Sequence, residues 1–228
     1  MPPFDTVFFD LDGTLTDPGL GITNSVAYAL RCRGIEPPPR QELYKFIGPP
    51  LRESFAKYFG IPDEETMRAV SDYRVYFADR GLFENQVYPD IPEMLAALKA
   101  HGLRLCVATS KPDVFSEKIL VHFGLRDFFD FVAGASMDET RTDKHEVIEH
   151  AIASLGLSPR ERERILMIGD REHDIRGAAR SGLASAGVTY GYGSEAELVK
   201  AGANYLFRTP SEIAAFLLSQ PAAKGFSS

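Results

Sequence analysis

Tryptophan is absent from this 228-residue chain, cysteine occurs twice, and basic residues are outnumbered by acidic ones, 25 to 32. Each shortage excludes something. Two cysteines, Cys32 and Cys106, are too few for a disulfide framework or a thiolate zinc cluster, and the expectation is a pair of reduced, packed thiols. A formal charge of −7 disfavours a nucleic acid polymer as partner, because such binding needs phosphate-neutralising cations. It leaves room for a small anion held by a few local cations. No apolar run approaches the roughly 18 residues of a membrane span. The opening Met1-Pro2-Pro3-Phe4-Asp5 has no cationic segment leading into an apolar one, so no export signal is visible. The expectation is a cytoplasmic protein with no membrane partner. What is present is a hydrophobic share of 44%, enough for a real core, and a length that suits one large domain or a core with an insert.

Apolar runs of strand length alternate with helically spaced stretches. Thr6-Val7-Phe8-Phe9 comes first, then 103–108, 129–134 and Ile165-Leu166-Met167-Ile168, with weaker runs at 185–189 and 204–207. They are continuously apolar rather than alternating, which suits strands buried on both faces of a parallel sheet. Helical spacing between them, at 93–100, 113–123, 144–155, 175–181 and 195–201, predicts an α/β fold with a doubly wound, mostly parallel sheet. One interval breaks the rhythm. Between 17 and 85 no convincing strand is found; amphipathic stretches at 21–33, 40–46, 51–59 and 63–80 are punctuated by Pro37-Pro38-Pro39, Gly48-Pro49-Pro50 and Gly60-Ile61-Pro62. The expected organisation is a core of 1–16 with 86–219, an all-helical insert at 17–85 after the first strand, and a frayed tail at 220–228.

Three buried runs end in polar groups: Asp10 and Asp12, then Thr109 and Ser110, then Asp170. Desolvating a carboxylate at the end of a core strand is costly, and a metal or a reacting group can offset that cost. In a parallel sheet, ligands bind beyond the carboxyl ends of the strands. Asp10 and Asp12 are two apart, so an extended backbone points both to one side, and Gly13-Thr14 allows a tight turn that suits an anion. Asp174 brings further carboxylate oxygens to the rim. Hard oxygen donors of this kind suit Mg²⁺.

The string Asp10-Leu11-Asp12-Gly13-Thr14, Thr109 after a strand, Lys144 at a helix start, and Gly169-Asp170 with Asp174 resemble, in order, the four motifs of the haloacid dehalogenase-like phosphatases. Phe46-Ile47-Gly48-Pro49-Pro50-Leu51 and Ser110-Lys111-Pro112 are similar to the phosphoglycolate phosphatase branch. Gly169-Asp170-Arg171-Glu172-His173-Asp174-Ile175 is similar to members described as 5′-nucleotidases. The resemblance implies a Rossmann-like core, a mobile helical cap that selects substrate, and a Mg²⁺-dependent phosphatase acting on a small phosphorylated metabolite, phosphoglycolate phosphatase-like with a 5′-nucleotidase on nucleoside monophosphates as the alternative, as monomer or homodimer.

It also implies roles. Asp10 attacks phosphorus and carries an aspartyl-phosphate, and Asp12 protonates the leaving group and then activates water. Thr109 and Lys144 hold and neutralise the phosphoryl group, with Leu11 and Ser110 in the same phosphate site. Asp10, the backbone carbonyl at Asp12, Asp170 and Asp174 surround the metal. A phosphomutase remains open, separable by release of inorganic phosphate. A carbon–halogen hydrolase on this scaffold lacks the second acid, so Asp12 argues against it, and a receiver-like signalling domain does not suit the insert. Lys111 is a rival cation ranked below Lys144. His173 reads as a loop residue on the rim; His101, His122, His145 and His150 read as surface or boundary residues. Arg31, Lys45 and Arg52 of the insert could meet a second anionic group, and its aromatics, including Phe46, Phe55, Tyr58, Phe59, Tyr73, Tyr76 and Phe77, form the insert's own core.

Overall fold

A computed structural model gives the fold of residues 4–138 and 140–220. Four buried residues, Thr6–Phe9, make strand β1, which has a parallel partner on each side and therefore no polar face. The chain then leaves for a separate compact unit, Thr16–Gln86. That unit begins with β2 (Thr16–Asp17) and runs through α1 (Gly19–Arg31), α2 (Arg40–Leu43), α3 (Leu51–Phe59) and α4 (Asp63–Tyr76). Helix α4 ends in a π turn at Phe77–Gly81, and the short strand β3 (Gln86–Val87) pairs with β2. This pair lies at the ends of the interval that the sequence pattern reads as strand-free; two residues are too few for periodicity to register.

The helical unit has its own core. Phe46 packs at 5.1 Å between ring centroids from Phe55 and at 5.9 Å from Phe59, and Tyr73 stacks on Phe77 at 5.3 Å. Phe46, Phe55, Tyr73 and Phe77 are buried, whereas Tyr58, Phe59 and Tyr76 are half-buried. Prolines at 39, 50 and 62 precede the first residues of α2, α3 and α4, where a missing N–H costs nothing. Cys32, expected to pack, is exposed at the C-terminal end of α1.

The other unit comprises the chain through Leu15 together with Val87 onward. Its elements are α5 (Ile91–Ala100), β4 (Arg104–Pro112), α6 (Asp113–His122), β5 (Phe131–Ala135), α7 (Lys144–Ser154), β6 (Ile165–Gly169), α8 (Glu172–Arg180), β7 (Ala184–Val188), α9 (Glu195–Ala201), β8 (Tyr205–Phe207) and α10 (Pro210–Leu218). The six-stranded sheet is parallel in the order β5-β4-β1-β6-β7-β8. The order reverses at β1, so the crevice beyond its carboxyl end lies at the topological switch point. Phe8, Cys106, Ala133, Val147, Ile148 and Met167 belong to one buried cluster between the sheet and α7.

Among the boundaries that differ from the sequence pattern, two bear on the crevice. Strand β4 continues through Thr109, Ser110 and Lys111, with a register irregularity between Ala108 and Pro112. Helix α8 starts at Glu172 rather than 175, because Asp174 accepts a hydrogen bond from the Arg171 N–H at 3.0 Å and starts the helix early. Helix α10 is additional: Thr209 Oγ1 accepts from the Glu212 N–H and Pro210 opens the first turn, a start signal legible in Thr209-Pro210-Ser211-Glu212. Residues 221–228, most of the expected tail, lie outside the described residues. Gln220 itself is engaged, its Oε1 accepting from the Phe4 N–H at 2.9 Å. Among the described residues no helix is long and apolar enough to cross a membrane.

Candidate active site

Asp10 stands one residue beyond β1, still tied to the sheet by its N–H, which donates to the Ile168 carbonyl at 2.9 Å. The chain then turns within three residues. Thr14 and Leu15 both donate backbone N–H groups to the Leu11 carbonyl, and Gly13 takes φ +83°. A Cβ on Gly13 would also strike the Asp170 carboxylate, so position 13 is glycine for both conformation and space. Asp170 follows β6 directly, beside β1 in the sheet, and Thr109 lies near the end of β4 on the other side.

Lys144 reaches this crevice from the first residue of α7. Asp143 caps that helix by accepting from the His145 N–H at 2.9 Å, and Glu146 reaches back to the Asp143 N–H at 3.2 Å. The Lys144 ammonium lies 2.7 Å from Asp10 Oδ1 and 2.7 Å from Asp174 Oδ1, and it donates to the Ala108 carbonyl at 2.9 Å. Two of these contacts, to Asp10 Oδ1 and the Ala108 carbonyl, are hydrogen bonds, and the Asp174 contact is an ion pair. Burial disfavours the ammonium, but the Asp10 and Asp174 carboxylates outweigh it and raise the Lys144 pKa above the ordinary lysine value. Lys144 is a cation at neutral pH.

Asp12 faces the other cation. Lys111 Nζ lies 2.8 Å from Asp12 Oδ2, with side-chain exposures of 5% and 11%. Burial still raises the Asp12 pKa against the opposing Lys111 charge. Asp12 Oδ1 is buried and has no hydrogen-bond partner. Lys111, ranked second by the sequence, is thus a full member of the site; its signal was its place one strand step beyond Thr109-Ser110. The Thr109 hydroxyl oxygen accepts from the Lys111 N–H at 3.2 Å.

Ligand oxygens of Asp10, Asp170 and Asp174 lie within 4.8 Å of one another, and all three residues are buried. Burial, reinforced by the charges of Asp174 and Asp10, holds the Asp170 carboxyl well above the usual carboxylate range. Burial likewise raises Asp174, against the pull of Lys144. Asp170 Oδ2 accepts from the Tyr192 N–H at 2.7 Å, while its Oδ1 is buried without a partner. An orphaned buried carboxylate oxygen among three converging acids fits a hard divalent cation with oxygen ligands. The Asp12 side chain is not in this group; it turns to Lys111.

The loop after β7 also reaches the site, beyond the residues read from the sequence. Tyr190 donates its hydroxyl to the Thr14 carbonyl at 2.9 Å, and the following residues wrap Asp170. A Cβ on Gly191 would collide with the Gly13 carbonyl and the Asp170 side chain. The repeated Tyr-Gly of Tyr190-Gly191-Tyr192-Gly193 was the available signal.

Other candidates go elsewhere. His173 sits in the first turn of α8, not in a loop, and His145 Nδ1 is 2.8 Å from Ser181 Oγ. In the helical unit Arg52 pairs with Asp63 at 3.1 Å, and Lys45 lies over the Tyr58 ring at 4.4 Å. Arg31 lines a cleft of about 330 Å³ with Asn24, Tyr28, Arg40 and Tyr76. Cys106 is core, its thiol pushed up by burial.

Comparison with known proteins finds relatives over most of the chain. A family model described as haloacid dehalogenase-like hydrolase matches residues 7–188. A 5′-nucleotidase of Pseudomonas aeruginosa is 48% identical over 195 residues, covering 86% of this chain and 87% of the relative. The tyrosine-protein kinase PtkA of Mycobacterium tuberculosis is 41% identical over 187 residues, 82% of this chain but 62% of the kinase. A phosphoglycolate phosphatase of Neisseria gonorrhoeae is 28% identical over 195 residues, with coverage of 82% and 80%. The crystal structure of a predicted phosphatase from Clostridium acetobutylicum matches with TM-score 0.91 and 45% identity, covering 95% of this chain and 99% of the other.

Proposed function

The chain belongs to the haloacid dehalogenase-like hydrolase family and is a phosphatase; from that premise we propose that it is a Mg²⁺-dependent phosphomonoesterase working through an aspartyl-phosphate on Asp10. The observation that carries this reading is the Lys144–Asp10 pair at 2.7 Å, set beside the converging Asp170 and Asp174 and apart from the Asp12–Lys111 pair. One carboxylate, Asp10, is ion-paired with a buried ammonium, and the other, Asp12, stands ready to carry a proton.

An Asp10 carboxylate oxygen attacks phosphorus as the bond to the leaving oxygen breaks, and Asp12 gives its proton to that oxygen. A water then attacks the phosphorus, its proton passes to Asp12, and the bond to Asp10 breaks to release inorganic phosphate. Asp10, Asp170, Asp174 and the backbone carbonyl at position 12 would hold Mg²⁺, which supplies charge neutralisation for the phosphoryl oxygens. Lys144 pairs with Asp10, and the Thr109 hydroxyl would donate to a phosphoryl oxygen. Leu11 and Ser110 complete the phosphate site. Phosphoryl transfer asks a protein mainly for positioning and charge stabilisation.

Nucleoside 5′-monophosphates are the first substrate class, on the 48% identity to a 5′-nucleotidase. Phosphoglycolate is second, on a relative at 28% identity. The test is a panel of phosphorylated metabolites, ranked by kcat/KM with Mg²⁺ present, read as released inorganic phosphate. Preference for nucleotides supports the assignment. Turnover without phosphate release would point instead to a mutase.

A further inference from the structure

Two lysines stand in this crevice, and they hold different acids. Lys144 is committed to Asp10, Asp174 and the Ala108 carbonyl, on the metal side. Lys111 is committed to Asp12, through Oδ2 alone, at 2.8 Å. Both partners of the second pair are buried, so the contact is not a surface ion pair that water would loosen. A carboxyl group has two oxygens and can turn about its terminal torsion, which is broad and roughly two-fold. Tying Oδ2 to an ammonium, which only donates, removes that freedom and that oxygen together. The remaining oxygen, Oδ1, is buried without a partner. A proton on Asp12 must therefore ride on Oδ1.

The backbone supports this placement. Lys111 lies in the irregular stretch of β4 between Ala108 and Pro112, and its N–H is held by Thr109 Oγ1 at 3.2 Å. An irregularity of this kind re-aims side chains beside active sites. The strand pairs with β5 on both sides of the break, in shifted register, so the irregularity is local to the stretch that carries Lys111.

We infer that Lys111 is a positioning residue for proton delivery: it pins Asp12 Oδ2 so that Oδ1 alone meets the leaving oxygen and, in the second half-reaction, the attacking water. The inference rests on the reading of Asp12 as the proton carrier. It gives Lys111 work on the leaving group rather than on the phosphoryl group. Loss of Lys111 matters most when the leaving group needs a proton and least when it departs as a stable anion.

The experiment compares kcat/KM of the Mg²⁺-loaded enzyme on monoesters whose leaving groups span a wide basicity range, from p-nitrophenyl phosphate through phenyl phosphate to an alkyl phosphate. The variants are Lys111→Met, Lys111→Arg and Asp12→Asn, each checked by thermal melting. General acid catalysis is worth roughly 10²–10⁴-fold, so Lys111→Met is expected to lose about 10²-fold on the alkyl ester and less than about 5-fold on p-nitrophenyl phosphate. Lys111→Arg restores the alkyl-to-aryl ratio to within about 3-fold of the parent, because it returns a buried cationic donor. Should the methionine variant fail to fold, Lys111→Gln carries the same comparison. A uniform loss across the series, or a change confined to KM, overturns the proposal and makes Lys111 a structural or phosphate-binding residue. Asp12→Asn distinguishes the deeper failure: if its own loss is independent of the leaving group, Asp12 is not the proton carrier and the assignment of Lys111 falls with it.

Discussion

The Lys144 ammonium sits 2.7 Å from an Asp10 carboxylate oxygen although 134 residues separate them, and both side chains are almost wholly enclosed. A buried ion pair is weak evidence of stability but strong evidence of commitment, because removing one partner strands the other. Lys144→Met leaves Asp10 and Asp174 without their shared cation. Phosphatase turnover is expected to fall by roughly 10²–10³-fold, the loss typical of removing one electrostatic stabiliser. Steady-state release of inorganic phosphate checks it, and a variant within tenfold of the parent contradicts the role given to Lys144.

Asp10→Asn keeps the shape and an oxygen for Lys144 but removes the proposed nucleophile. Activity should drop by roughly 10⁴-fold or more, as for other nucleophile deletions. The thermal melt should stay within a few degrees of the parent, and no phosphorylated protein should be trapped by rapid acid quench. Appearance of the same phosphoprotein in this variant would move the nucleophile elsewhere.

Divalent metal should stabilise the fold, and more so at higher pH. In the metal-free protein the Asp170 carboxyl titrates above its unfolded value, chiefly through burial. Such a group favours the fold below the unfolded pKa, and that advantage is lost as pH rises through the folded pKa. Mg²⁺ takes the place of the proton, so its binding strengthens with pH. At 100 times Kd the gain is about 2.7 kcal/mol. For a chain of this size that raises Tm by about 5–10 °C at pH 8, with a smaller rise at pH 5.5. EDTA should reverse both the shift and the activity. Equal shifts at the two pH values would argue against these carboxylates as the ligands.

Gly191→Ala places a Cβ where the Gly13 carbonyl and the Asp170 side chain already are. The expected result is a metal-affinity defect of about 10–100-fold, the usual cost of disturbing the groups that orient a ligand. Isothermal titration with Mg²⁺ measures it directly. Unchanged affinity would show that the loop after β7 yields without moving Asp170.

In the helical unit, Phe55→Ala empties a fully buried site packed against the Phe46 ring at 5.1 Å. A cost of about 3–5 kcal/mol is expected for a fully buried phenylalanine. Chemical denaturation would read it, and a cost below 1 kcal/mol would mean the unit repacks freely.

Much of this protein is legible without coordinates, because the strands of a two-sided parallel sheet announce themselves as unbroken apolar runs. Val7, Phe8 and Phe9, or Leu166, Met167 and Ile168, have no polar face to present. The acids and hydroxyls that follow those runs, Asp10, Asp12, Thr109 and Asp170, mark where burial is expensive and a ligand has to offset it. Helix starts are readable where a proline stands, as at Pro62 ahead of α4, and Thr209-Pro210 carries an equal signal.

Chain order alone determined which residue types would meet at the sheet's carboxyl edge, since a strand's end is a local property. Tertiary structure decided which acid faces which cation. The sequence ranks Lys144 above Lys111 but gives neither a partner, and only the three-dimensional path, an irregular strand end for one and the first residue of a helix for the other, sends Lys111 to Asp12 and Lys144 to Asp10 and Asp174. Charge pairing depends on distances of a few ångströms between segments far apart in the chain, and no local pattern encodes them.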